Sequence, residues 1–101
     1  MSDPSGFCFD LEWDGGYAFR VDYDRPKGLT LTVDEPAPLG ADRGPNPARM
    51  LATAVAHCLS SSLLYCLSRS HVEVRSLRAR VKGQTVRNEA GRLRIGGIRV
   101  A

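Results

Sequence analysis

The residues of this chain best equipped for chemistry are its three cysteines, Cys8, Cys58 and Cys66. A thiolate is a strong nucleophile; solvent access lets it react, and a nearby positive group favours its ionised form. Cys58 lies near the middle of GPNPARMLATAVAHCLSSSLLYCLSR, residues Gly44–Arg69. His57 precedes it directly, and neighbouring side chains on a helix diverge by about 100°, which makes His57 a poor base for Cys58. Glu35 and Arg43, in the loop ahead, are charged groups that could reach the thiol. Cys66 reads as core packing, and Cys8, on the polar side of an alternating run, as an incidental exposed thiol. His71 falls where a cation suits a helix C-terminus. Two histidines and three dispersed cysteines have no zinc-like spacing, so neither a metal nor a cofactor is expected.

The element that must hold Cys58 is a long helix. Asn46 is a suitable N-cap, and Pro47 has its φ preset for the first helical position. From Ala48 to Arg69 there is no Gly or Pro. Met50, Leu51, Ala54, Val55, Cys58, Leu59, Leu63, Leu64, Cys66 and Leu67 go most of the way round, which predicts a buried central helix. Its interruption by Ser60, Ser61 and Ser62 and its polar ends argue against a bilayer span.

Strands are expected on both sides. Phe7, Phe9, Leu11 and Trp13 alternate with polar residues over Gly6–Trp13; Tyr17–Tyr23 alternates again after the turn Asp14-Gly15-Gly16; Leu29, Leu31 and Val33 mark a third strand. A Pro- and Gly-rich loop, 35–47, leads into the helix. Beyond it, 72–82 alternates, Thr85 and Val86 continue an extended run, Glu89-Ala90-Gly91 turns, and Leu93–Val100 forms a last strand with a bulge at Gly96-Gly97. The expected fold is α+β, a single domain over residues 1–101, with antiparallel sheet packed on the central helix. A chain of this size encloses a long apolar helix with difficulty, which points to a second subunit. The sequence stops directly after the last expected strand, so either a partner covers that edge or residues follow Ala101.

The composition is that of an ordinary globular protein, 43% hydrophobic and 25% charged. No secretory or lipidation signal is visible, and the odd cysteine count reads as reduced thiols in the cytoplasm. Charge is divided. Up to Met50 there are five Lys and Arg against nine Asp and Glu, and from Leu51 onward nine against two. Arg75, Arg78, Arg80, Lys82, Arg87, Arg92, Arg94 and Arg99 make the second half basic. Few aromatics accompany them to stack bases, so the balance is for a solvated sheet face, or a contact with another subunit's acidic half, over nucleic acid.

The run TVDEPAPLGADRGPNPARMLATAVAHCLSSSL resembles the OsmC and organic-hydroperoxide-resistance (Ohr) family, with Gly44, Asn46, Pro47 and Cys58 at the matching spacing. VEVRSLRARVKGQTVRNEAGRLRI resembles that family's central sheet. The resemblance implies an intertwined homodimer and a thiol-dependent peroxidase for organic hydroperoxides, in which Cys58 attacks the peroxide oxygen and becomes a sulfenic acid. It also implies a second, resolving cysteine on a further helix and a dithiol reductant. Three features depart from the family pattern, and Arg20 or Arg49 could take the place of the family's Arg. Ala48 and Arg49 stand where a Glu is usual, Tyr17 follows Gly15-Gly16 where the Ohr branch has its Arg, and the helix with the second cysteine is absent from this chain. Cys66 is about 12 Å further along the same helix, beyond disulfide reach within one chain. The rival expectation, from another class, is a catalytically inactive OsmC-like binding domain that holds a small apolar ligand, or nucleic acid through its basic strands.

Overall fold

The computed structural model describes residues 6–87, 89–90 and 93–101. Its elements run β1 (Asp10–Trp13), β2 (Phe19–Asp22), β3 (Thr30–Val33), α1 (Pro47–Arg69), β4 (Val81–Arg87) and β5 (Leu93–Val100). This is the α+β class with antiparallel sheets and one helix. The chain divides into two compact units, Met1–Pro47 and Ala48–Ala101.

The first unit is a meander in the order β1-β2-β3. Its register stacks Leu11, Val21 and Leu31 across the sheet, and beside them Trp13, Phe19 and Val33. The alternation of the sequence is thus one apolar face, of which Val21 is buried at 4% exposure while Trp13 stands 65% exposed. On the other face Arg20 bridges Glu12, its cross-strand neighbour, at 2.7 Å and Asp22 at 3.0 Å. The β1–β2 turn needs its glycines, because Gly15 and Gly16 both take positive φ, 90° and 55°. Trp13 Nε1 caps that turn by donating to the Gly16 carbonyl at 2.9 Å.

The first strand is shorter than its alternation suggests. Residues 6–9 precede the ladder, and the Cys8 N–H donates to the Asp24 carboxylate at 3.0 Å instead. Phe9 still packs on Tyr23, with ring centres 5.0 Å apart.

In the second unit β4 and β5 form a hairpin ribbon. Gln84 faces Gly97 and Thr85 faces Ile95, so Gly96 is the extra residue of the expected bulge. Glu89 and Ala90 lie in a turn; Gly91, the third residue of the expected turn, and Arg92 fall outside the described residues. The strand expected over 72–82 begins only at Val81. Alternation states which side of an extended segment is apolar, whereas a strand also needs a hydrogen-bonding neighbour. Among the described residues, 72–79 has no ladder partner.

α1 covers 23 residues, about 35 Å. Its C-terminus is a Schellman motif: the Val72 N–H bonds to the Leu67 carbonyl at 2.9 Å and the His71 N–H to the Ser68 carbonyl at 3.1 Å. His71 takes the left-handed position that closes the motif, at φ 59°, a place where glycine is usual. His71→Gly is therefore expected to stabilise the fold by about 1 kcal/mol, read as a higher urea midpoint at unchanged slope. His71→Ala, which keeps the Cβ, should give no such gain.

Two expectations about α1 need correction. It is not buried in the single chain, for Ala56 is its one buried residue, while Leu51, Val55, Leu59, Leu63 and Leu64 are all exposed. An apolar circumference records that a helix will be covered and not by what. By length and composition α1 also suffices to cross a bilayer, its serines notwithstanding.

Candidate functional site

Cys58 lies midway along α1 as a free, exposed thiol. One turn away on its face are Ala54 and Val55 toward the N-terminus and Ser61 and Ser62 toward the C-terminus. The thiol thus sits between an apolar turn and a hydroxyl-bearing one. Within its own unit no described group hydrogen-bonds to it. His57 is exposed; its helical position turns it away from Cys58. Arg49 is nine residues earlier on the same unbroken helix, about 13 Å away and half a turn out of phase, so within one chain it cannot serve the thiol. Cys66 is exposed rather than core-packed, and Cys8 is exposed as expected. The straight helix keeps Cys58 and Cys66 about 12 Å apart, outside disulfide geometry. Among the described residues no cluster of His, Cys, Asp and Glu could hold a metal ion.

The remaining candidates lie in the first unit, and each has a carboxylate or structural role there. Arg20 is held by Asp22 and Glu12. Arg43 reaches the β1–β2 turn, with Nη2 at 3.1 Å from the Asp14 carboxylate and Nη1 at 3.3 Å from its carbonyl. Glu35 accepts the Asp42 N–H through its backbone carbonyl at 3.3 Å.

The residue that sequence reasoning missed is Asp34, directly after β3. It is buried at 4% exposure. Its carboxylate accepts backbone N–H bonds from Glu35 at 2.8 Å, Ala41 at 3.1 Å and Arg43 at 3.2 Å. The Pro/Gly loop is wound around one side chain, and its far end returns to β3, where the Asp34 N–H donates to the Pro45 carbonyl at 3.3 Å. Two glycines permit this winding: a Cβ at Gly40 would collide with the Glu35 carbonyl oxygen, and one at Gly44 with that of Thr32. The available signal was an Asp opening a Pro/Gly loop, where carboxylates commonly cap backbone N–H groups. α1 begins at Pro47, two residues after the loop is pinned.

Burial alone would push the Asp34 carboxyl up, but the three N–H bonds and the Arg43 charge outweigh it and hold the group below the usual carboxylate range. The stability contributed by ionised Asp34 is therefore complete above the unfolded pKa, about 4, and is lost as pH falls through the lower folded value. Amide-exchange protection at Ala41 and Arg43 is expected to drop on acidification below that point. Asp34→Asn should show no such acid step.

An α+β fold with antiparallel sheets, one long helix and a mid-helix thiol behind a glycine-proline turn defines a recognisable class. Residues 40–100, more than half of the chain and including Gly44, Asn46, Pro47 and Cys58, match the family model for OsmC-like protein. The chain belongs to the OsmC-like family. Among solved structures, one described as an osmotic stress induced and detoxification response protein from Psychrobacter arcticus 273-4 is similar with a TM-score of 0.81. The two share 14% identity over 99% of this chain and 71% of that one, a likeness of fold. No curated protein matches the sequence.

Proposed function

We propose that the protein is a thiol-dependent peroxidase that reduces organic hydroperoxides through Cys58, acting as a homodimer in the cytoplasm. The observation that carries this reading is the solvent-accessible, unpaired Cys58 thiol at the centre of the helix of an OsmC-like fold. An accessible thiol is a precondition for attack, since a thiol walled in by hydrocarbon is inert.

The reaction balances as follows. The Cys58 thiolate attacks one peroxide oxygen of ROOH, an S–O bond forms, and the O–O bond breaks with its electron pair leaving on RO⁻. That alkoxide takes a proton and departs as the alcohol, leaving Cys58 as a sulfenic acid. One thiol of an external dithiol then attacks the sulfenic sulfur, releasing water and forming a mixed disulfide. The second thiol displaces the Cys58 thiolate and leaves the reductant as a disulfide. Val55 and Ala54 beside the thiol favour an alkyl group over H2O2 by offering apolar surface. An external dithiol suits a chain whose Cys66 is out of reach of Cys58 on the same helix.

The test is to expose reduced protein to an alkyl hydroperoxide and trap the product with a sulfenic-acid reagent. The expected result is an adduct on Cys58, located by peptide mass. No adduct on Cys58 after hours with excess peroxide would sink the proposal.

A further inference from the structure

The β4–β5 ribbon has two unlike faces. On one, Val81 lies opposite Val100, Gly83 opposite Ile98 and Thr85 opposite Ile95. On the other, Lys82 lies directly opposite Arg99, and Gln84 opposite Gly97. Arg80 extends this second face by alternation, and its N–H and carbonyl exchange hydrogen bonds with Ala101 at 2.9 and 3.0 Å. Val86 closes its far end. Arg80, Lys82, Gln84 and Arg99 are all exposed.

Like charges set opposite each other across two strands are destabilising. The ribbon itself offers no acidic side chain to offset them, since the sequence has no Asp or Glu between Glu73 and Glu89, and none after Glu89. Glu73 lies 3.9 Å from Arg75. A groove runs between the opposed cations, lined by Lys82, Gly83, Gln84, Gly97, Ile98 and Arg99. Its floor is open at Gly97, where even a Cβ would meet nothing within 4 Å.

We propose that this face binds the phosphodiester backbone of nucleic acid without reading its sequence. Arg80 and Lys82 stand two residues, about 6.8 Å, apart along one strand, and Arg99 faces Lys82 from the other strand about 5 Å away. That arrangement presents several point charges to a polyanion at once. A two-stranded ribbon is also narrow enough to enter a major groove. An acidic protein partner is the weaker match, because protein interfaces centre on a buried aromatic anchor and neither the groove lining nor Val86 at its end supplies an aromatic ring. The shortage of aromatics that disfavours base stacking leaves backbone contacts untouched, since these need only cations and donors.

The test uses the full chain and a fluorescein-labelled 20-base-pair duplex, with binding followed by anisotropy as salt is raised. Three phosphate contacts predict a slope of log K against log salt near −2.7. The double variant K82A/R99A should bind at least tenfold more weakly at low salt and lose about two units of that slope. Arg20→Ala, in the other unit, and Cys58→Ser should bind like the parent. Circular dichroism checks that the double variant keeps its fold, and Lys82→Gln alone provides a milder second variant with about one unit of slope lost. Absence of binding at low salt overturns the proposal, as does unchanged binding by both variants. Equal affinity for polyglutamate of matched charge overturns it too, by showing that phosphate is not what the face selects.

Discussion

Cys58→Ser is expected to abolish the proposed hydroperoxide reduction, by roughly 10³-fold or more, since a serine hydroxyl at neutral pH supplies no comparable nucleophile. The loss should fall on turnover, with the far-UV spectrum and denaturation midpoint little changed, because the thiol is exposed and has no hydrogen-bond partner in its unit to lose. Cys66→Ser makes the complementary prediction. About 12 Å along the same helix from Cys58, Cys66 takes no part in the first step, so its variant should form the Cys58 sulfenic acid at the parental rate. A parental steady-state rate in that variant, with an external dithiol supplied, would show that reduction of Cys58 is intermolecular. Unimpaired turnover in Cys58→Ser would instead remove Cys58 from the chemistry, whatever the fold.

Most of the architecture was legible because it depends on local rules. The helix start follows from Asn46 as N-cap and Pro47 as first helical residue, and the uninterrupted run to Arg69 is where the structure ends α1. The Gly15-Gly16 turn and the bulge at Gly96 were readable because only particular backbone conformations satisfy those positions. What escaped was long-range. The alternation over 72–79 is real, yet among the described residues no neighbouring strand pairs with it, and no local pattern reports whether a neighbour exists. Asp34 escaped for the related reason that its meaning lies in three N–H groups up to nine residues away. Arg20 and Arg43 looked available to a thiol in the sequence, and the structure gives each of them to a carboxylate. What the sequence conveyed of the candidate site is a thiol on a helix, and not the groups that surround it.

The second large effect expected is on assembly. Among the described residues only Ala18, Val21, Asp34 and Ala56 are buried, a small core against the conformational entropy that folding must offset. Leu51, Val55, Leu59 and Leu63 follow one another at four-residue spacing along α1, and Leu59 is 55% exposed. Such a ridge fits the groove of a partner surface, and the proposed homodimer supplies one from a second copy. Covering a leucine contributes about 1.5–3 kcal/mol. Leu59→Arg with Leu63→Arg removes that twice and adds the cost of confining two charges, so dimer affinity is expected to fall by at least about a hundredfold. Sedimentation equilibrium across micromolar concentrations should find the parent as a dimer and the double variant as monomer. Thermal unfolding of the parent should also rise with protein concentration, because association and folding are then one equilibrium. A parent chain that sediments as a monomer with a concentration-independent midpoint would mean that the ridge is covered by something other than its own copy.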